Sequence, residues 1–98
     1  MNEKEYLLTC LGEELAEMAQ EVAKMLRFTP DNCMPGTMFS NLDRCSGEFS
    51  DVIAILEMLR DRGISVKILQ DRIDSKKERT LRYMKVSQEL GTLYGIPK

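Results

Sequence analysis

The chain contains no histidine and no tryptophan, and its three cysteines show no CxxC spacing. Zinc sites normally use histidine or closely spaced cysteines, and histidine-based catalysis needs histidine, so both kinds of site are nearly excluded. Cys10, Cys33 and Cys45 are odd in number and are interpreted as ordinary thiols. Any metal site is therefore expected to use oxygen ligands and a hard cation such as Mg²⁺ or Mn²⁺.

Long apolar runs are also absent, and no targeting signal is expected. The amino-terminal stretch MNEKEYLL carries acids, which predicts neither a signal peptide nor a lipidation motif. With 43% hydrophobic and 31% charged residues the composition is that of a globular domain, and the formal net charge of −2 argues against general nucleic-acid binding. We expect one soluble, cytoplasmic domain over residues 1–98 that does not associate with membranes.

No strand-like alternation appears, whereas helical periodicity is clear. From Glu3 to about Arg27, apolar residues recur at intervals of three and four, which predicts an amphipathic helix. Residues 28–40 contain Pro30, Pro35 and a glycine and are predicted to form a connection that is long for a small domain.

Two further helical regions follow the connection. The second helix is predicted to begin after Ser40, as its cap, and to end near Arg62. Ser65 is expected to cap a third segment, with a break near residue 74 or 75 before a last helix over about 76–90. The final residues, GTLYGIPK, are expected to be irregular.

These elements predict an all-α fold, a small helical bundle. A chain of this length buries only about 60% of its unfolded surface, so its core is thin. We therefore expect a homodimer or homotetramer that completes the bundle.

Acidic residues cluster on the first predicted helix. Glu14, Glu17 and Glu21 are separated by three and four residues, so their side chains share one strip of surface bordering the apolar stripe. Like charges at this spacing repel one another, and no cation appears among them before Lys24. Something should offset this repulsion.

The second helix repeats the arrangement with Glu48 and Asp51. Glu48 lies on the apolar stripe itself, where an unpaired carboxylate is costly. If the two helices pack antiparallel, both acidic pairs could converge, each carboxylate would raise the pKa of the others, and a divalent cation would relieve the repulsion. Alternatively, Glu48 pairs with Arg44 one turn earlier or with a basic residue of the last helix.

The order of these motifs resembles the all-α nucleoside triphosphate pyrophosphohydrolase superfamily, the MazG-like and dimeric dUTPase group. The matching text is EELAE at Glu13–Glu17 and EFSD at Glu48–Asp51, followed by the apolar run VIAILEML. The likeness covers roughly residues 8–83, and its motifs are short.

The resemblance implies Mg²⁺-dependent hydrolysis of a nucleoside triphosphate to the monophosphate and pyrophosphate, in control of nucleotide pools. The implied metal ligands are Glu14, Glu17, Glu48 and Asp51. Either Glu17 or Glu21 would accept the proton of the attacking water.

Phosphate binding also requires cations. Arg72, Lys76 and Arg79 are spaced to share one helical face and are candidate phosphate contacts, with Lys24 a weaker candidate. A basic face that simply pairs with surface acids is an equally common arrangement. The alternative function is a noncatalytic, oligomeric all-α interaction module whose acidic face is solvated.

Overall fold

The computed structural model describes residues 1–95, which form three α-helices: α1 (Glu3–Phe28), α2 (Asn41–Arg60) and α3 (Gln70–Leu90). No β-strand lies in this range, where a single isolated bridge pairs Cys33 with Ser40. The predicted all-α class is therefore confirmed. Residues 91–95 are irregular as expected, whereas the last three residues of the predicted tail, 96–98, lie outside the described residues.

The first two helices begin at side-chain caps. Asn2 accepts a hydrogen bond from the backbone N–H of Glu5 at 2.8 Å. Ser40 and Asp43 form a capping box, in which each side chain accepts from the other residue's backbone N–H at 3.0 and 2.9 Å. The cap predicted at Ser40 is thus confirmed, and α2 ends at Arg60, two residues before the predicted end.

Two predictions about the third helix are wrong. Residues 64–69 are not helical, and Ser65 caps nothing, because α3 begins only at Gln70. The β-branched residues at alternate positions of ISVKIL favour extended backbone over helix. The expected break near residue 74 is absent as well, since Asp and Ser lower helix propensity far less than Gly or Pro and a Gln70–Asp74 hydrogen bond of 3.0 Å spans the turn.

Helices α1 and α2 pack together as an antiparallel hairpin. At one end, residues 29–40 are tied back to α2, with the Asn41 side chain donating to the carbonyl oxygen of Thr29 at 2.9 Å. At the other end, Arg62 donates to the Glu3 carboxylate at 2.7 Å. The core is thin, and its buried apolar residues are Leu7, Cys45, Val52 and Leu59.

The chain divides into two compact units. The first, Met1–Val66, contains the α1–α2 hairpin, and the second begins at Lys67 and contains α3. No residue of α3 is buried. Within residues 1–95, none of the helices combines the length and the apolarity required to cross a membrane.

One side of the hairpin presents apolar side chains. Leu15 follows Glu14, and Phe49 follows Glu48; Glu14 and Glu48 both lie at the α1–α2 contact. One position along a helix turns a side chain by about 100°, so Leu15 and Phe49 point away from that contact in the same rotational sense. Because the helices are antiparallel, both turns lead to the same side. We call this the apolar side; its members, 38–50% exposed, are Leu8, Leu15, Val22, Phe49 and Ile53.

Candidate metal centre

Carboxylates from both helices of the hairpin converge at its middle. One oxygen each from Glu14, Glu17 and Glu48 lie within 4.8 Å of one another. Glu14 and Glu48 are half-buried and Glu17 is exposed. The predicted convergence of acids from two segments is therefore confirmed for these three residues, which we call the carboxylate cluster.

Helix geometry explains which members are buried. Glu14 and Glu48 face each other across the hairpin. Glu17 and Asp51 each follow three residues later, which turns them about 60° toward the side opposite the apolar side. We call this the acidic side. Both residues are exposed, so the cluster is open to solvent there.

Several carboxylate oxygens in this region are buried and have no hydrogen-bond partner within the described range, residues 1–95. They are the Oε2 atoms of Glu14, Glu21 and Glu48. A buried carboxylate oxygen normally accepts hydrogen bonds or binds a cation, because an unpaired one is costly. An all-oxygen set with buried, unpartnered atoms fits a hard divalent cation.

Two carboxyl groups of the cluster have raised pKa values. Burial raises the pKa of Glu48 to about 7, assisted by hydrogen bonding to Glu17 and by the charges of Glu17, Asp51 and Glu14. Burial also raises the pKa of Glu14, together with the charges of Glu17 and Asp51, while hydrogen bonding to Glu48 opposes that rise. Asp51 therefore lies close enough for its charge to raise the pKa of both Glu14 and Glu48.

Two cations of the hairpin lie in this region. Lys24 donates to Glu21 at 3.1 Å, so one oxygen of that carboxylate is engaged. Arg44 does not pair with Glu48, contrary to one alternative. Its Nη2 lies 3.6 Å from the Met34 sulfur and 3.5 Å from the Thr37 hydroxyl. Pairing of Glu48 with the last helix stays a prediction.

The orientation of Arg44 was missed by the sequence analysis. Its i−4 spacing from Glu48 indicated an ion pair, which is the usual outcome on a helix surface. Only the folded connection shows where its guanidinium goes. The polar residues Thr37 and Asn41 beside this arginine were the available signal that the connection has a structural role.

The other predicted phosphate contacts lie on the second unit. Arg72, Lys76 and Arg79 line an open groove whose apolar wall includes Ile68, Leu69 and Ile73. Part of the predicted basic face is thus present on α3. The role of these residues in binding phosphate stays a prediction.

Comparison with known proteins identifies no relative: no family model matches the chain, and neither a curated protein nor a solved structure matches it. The resemblance to the pyrophosphohydrolase superfamily therefore stays a prediction carried by the motifs themselves.

The raised pKa of Glu48 predicts how stability depends on pH in metal-free buffer. The unfolded group titrates near 4.5 and the folded group near 7, so the native state binds more protons between these values. This stabilisation is fully present below pH 4.5 and is lost as the pH rises through 7. Urea denaturation in EDTA should show the free energy of unfolding falling between pH 5.5 and 8.

The variant Glu48→Gln should flatten that fall without lowering the stability at pH 8, because the mutual repulsion is removed. Glu57→Gln, which changes an exposed carboxylate about 180° away on the same helix, is the matched control and should keep the wild-type slope. An unchanged slope in Glu48→Gln would contradict the assignment, and a loss of several kcal/mol would indicate a salt bridge instead.

Proposed function

We propose that the hairpin binds Mg²⁺, or Mn²⁺ as an alternative, and that the protein is a nucleoside triphosphate pyrophosphohydrolase. The observation that carries the proposal is the carboxylate cluster, because it brings together acids from two helices with buried oxygens that have no partner. Glu14, Glu17 and Glu48 would hold the ion. Asp51, which acts on the pKa of Glu14 and Glu48, is proposed as the fourth ligand.

The proposed reaction is hydrolysis to a nucleoside monophosphate and pyrophosphate. The bound cation would neutralise phosphate oxygens and lower the pKa of a coordinated water. The oxygen of that water bonds to phosphorus as the phosphoanhydride bond breaks, and a carboxylate must accept the proton that the water loses. Glu17 and Glu21 are the candidates, and Glu21 retains one oxygen that is not engaged by Lys24.

The cationic residues would bind the phosphate groups. Lys24 lies on the helix that provides Glu14 and Glu17, and Arg72, Lys76 and Arg79 provide the basic groove of the second unit. Guanidinium and ammonium groups suit this role because they donate several hydrogen bonds to anionic oxygen. The activity proposed is control of nucleotide pools in the cytoplasm, with the base and sugar left open.

Self-association is part of the proposal. Five side chains at roughly half exposure present on the order of 400 Å² of apolar surface, which matches the largest apolar patch of an ordinary monomer, and such patches often serve interactions. A second copy packing on the apolar side would convert two thin hairpins into a four-helix arrangement with a shared core. The same surface favours the second candidate function, a noncatalytic oligomeric interaction module.

Metal binding is tested by thermal melting. A ligand that binds only the native state raises the melting temperature, so millimolar Mg²⁺ or Mn²⁺ should raise it by at least about 4 °C. Glu48→Gln and Asp51→Asn should reduce the rise, because each removes a proposed ligand, whereas the control Glu57→Gln should retain it. Absence of any rise in the wild type would favour the interaction module.

Catalysis is tested by pyrophosphate release from a panel of canonical, deoxy and damaged nucleoside triphosphates. Wild-type protein with Mg²⁺ should release pyrophosphate from at least one of them. Glu17→Gln and Glu48→Gln should lower turnover at least about 100-fold, the typical loss when a positioned acid or base is removed. The enzyme proposal fails if no compound is hydrolysed, or if both variants keep wild-type turnover.

Self-association is tested by sedimentation equilibrium. Phe49→Glu places a charge on the apolar side and should shift the protein toward the monomer, because burying that charge is costly. Met58→Glu is the matched control, since Met58 is exposed to a similar extent but lies toward the acidic side of the same helix. A wild-type monomer, or equal dissociation in both variants, would show that the apolar side is not the interface.

A further inference from the structure

Arg44 belongs to an acidic unit and has no anionic partner among residues 1–95. Residues 1–66 contain twelve Asp and Glu but only six Lys and Arg. Three of those six form salt bridges within the unit: Lys24 with Glu21, Arg60 with Asp61, and Arg62 with Glu3. The half-buried Arg44 forms none, although Glu48 follows it by one helical turn.

The contacts of the Arg44 guanidinium are weak. Nη2 meets a thioether sulfur at 3.6 Å and a hydroxyl oxygen at 3.5 Å, from Met34 and Thr37. Nε is buried and has no acceptor in the protein. Guanidinium is always charged and has five N–H donors. The buried Nε is closed to an outside acceptor, whereas Nη1 and Nη2, which have only these two long contacts, can donate to an acceptor from outside the chain.

The connection holds the guanidinium in this position. Residues 34–37 form a turn in which the Thr37 N–H and hydroxyl both bond to the carbonyl oxygen of Met34 at 3.0 Å. Pro35 and Gly36, with φ of 82° at Gly36, fit the two central positions of a type II turn. The turn presents the Met34 sulfur and the Thr37 oxygen together to Arg44. Its position is therefore built into the fold.

The location of Arg44 identifies the class of anion. Four residues of helix rise about 6 Å, so Arg44 and Glu48 are separated by about the length of a polyphosphate chain. Both lie near the α1–α2 contact, with Arg44 turned about 40° toward the acidic side, where the carboxylate cluster opens. A planar fork of donors matches phosphate oxygens closely.

We propose that Arg44 is a phosphate-binding residue that holds the part of a nucleoside polyphosphate farthest from the carboxylate cluster, and that Thr37 positions it. This inference rests on the proposed function, because the metal end of the same polyphosphate would lie at Glu48. It assigns a purpose to the long connection, which orients one arginine. Lys24, on the same unit, would then bind phosphate oxygens in addition to Arg44.

The test is calorimetric binding of inorganic tripolyphosphate to the full chain loaded with Mn²⁺. Arg44→Ala should weaken binding at least about tenfold, since a charge-assisted pair is lost, while Arg44→Lys should restore part of the affinity. Thr37→Val should give a smaller loss. Arg60→Ala, which removes an arginine from the same helix, is the matched control and should bind as the wild type does.

Direct Mn²⁺ titration separates failure of this inference from failure of the proposed function. If Arg44→Ala binds both Mn²⁺ and tripolyphosphate as tightly as the wild type, the inference is overturned and the metal site stands. If neither the wild type nor any variant binds Mn²⁺ but tripolyphosphate binding still depends on Arg44, the anion site stands and the enzyme proposal fails. Arg44→Gln provides a second variant of similar size should Arg44→Ala unfold.

The KM for the nucleoside triphosphate that is hydrolysed fastest distinguishes a nucleotide site from a site for free phosphate. This KM should rise at least about tenfold in Arg44→Ala, in parallel with the loss of tripolyphosphate affinity. An unchanged KM together with weakened tripolyphosphate binding would overturn the assignment to the nucleotide and leave a site for inorganic phosphate.

Discussion

The opposition of Glu14 and Glu48 across the α1–α2 contact is the constraint on which the rest of the hairpin depends. Two carboxylates at the centre of a helix pair interrupt the apolar seam where a small protein most needs it. Buried apolar residues flank this interruption: Val52 lies one turn after Glu48, Leu7 and Leu59 lie toward the free end, and Cys45 lies toward the connection. Apolar packing therefore resumes within one helical turn of the carboxylates.

Polar contacts connect the two helices at both ends of the hairpin. The Asn41 side chain and the backbone of α2 hold the connection at one end, and the Glu3–Arg62 pair holds the other. Contacts at both ends of the helix pair help to position Glu14 and Glu48 opposite each other. Ion and substrate sites require such positioning of their side chains by the surrounding fold. The acidic and apolar sides can then serve separate purposes, because a partner on one leaves the other open.

The sequence predicted this centre because Glu48 interrupts an otherwise apolar stripe, and a single misplaced charge is a strong local signal. It also predicted the Ser40 cap, whose capping box depends only on residues three apart. It failed at Ser65, because a cap contributes only about 1 kcal/mol and cannot override the extended preference of the following β-branched residues. The partnerless state of Arg44 was hidden for another reason: it depends on a turn ten residues away, which spacing along one helix does not reveal. The proposed metal, reaction and phosphate contacts of α3 involve molecules or placements that no helical pattern specifies.

The position of Arg44 also bears on the state of the carboxylate cluster. An arginine one turn before Glu48 would ordinarily pair with it, lower its pKa and engage its carboxylate oxygen. The Met34–Thr37 turn instead engages the guanidinium, and the Oε2 atom of Glu48 stays without a partner. The connection thus keeps the positive charge of Arg44 unpaired with Glu48. Under the proposed function, that separation is what allows one helix to supply both a metal ligand and a phosphate contact, because each charge then meets its complement only in the bound substrate.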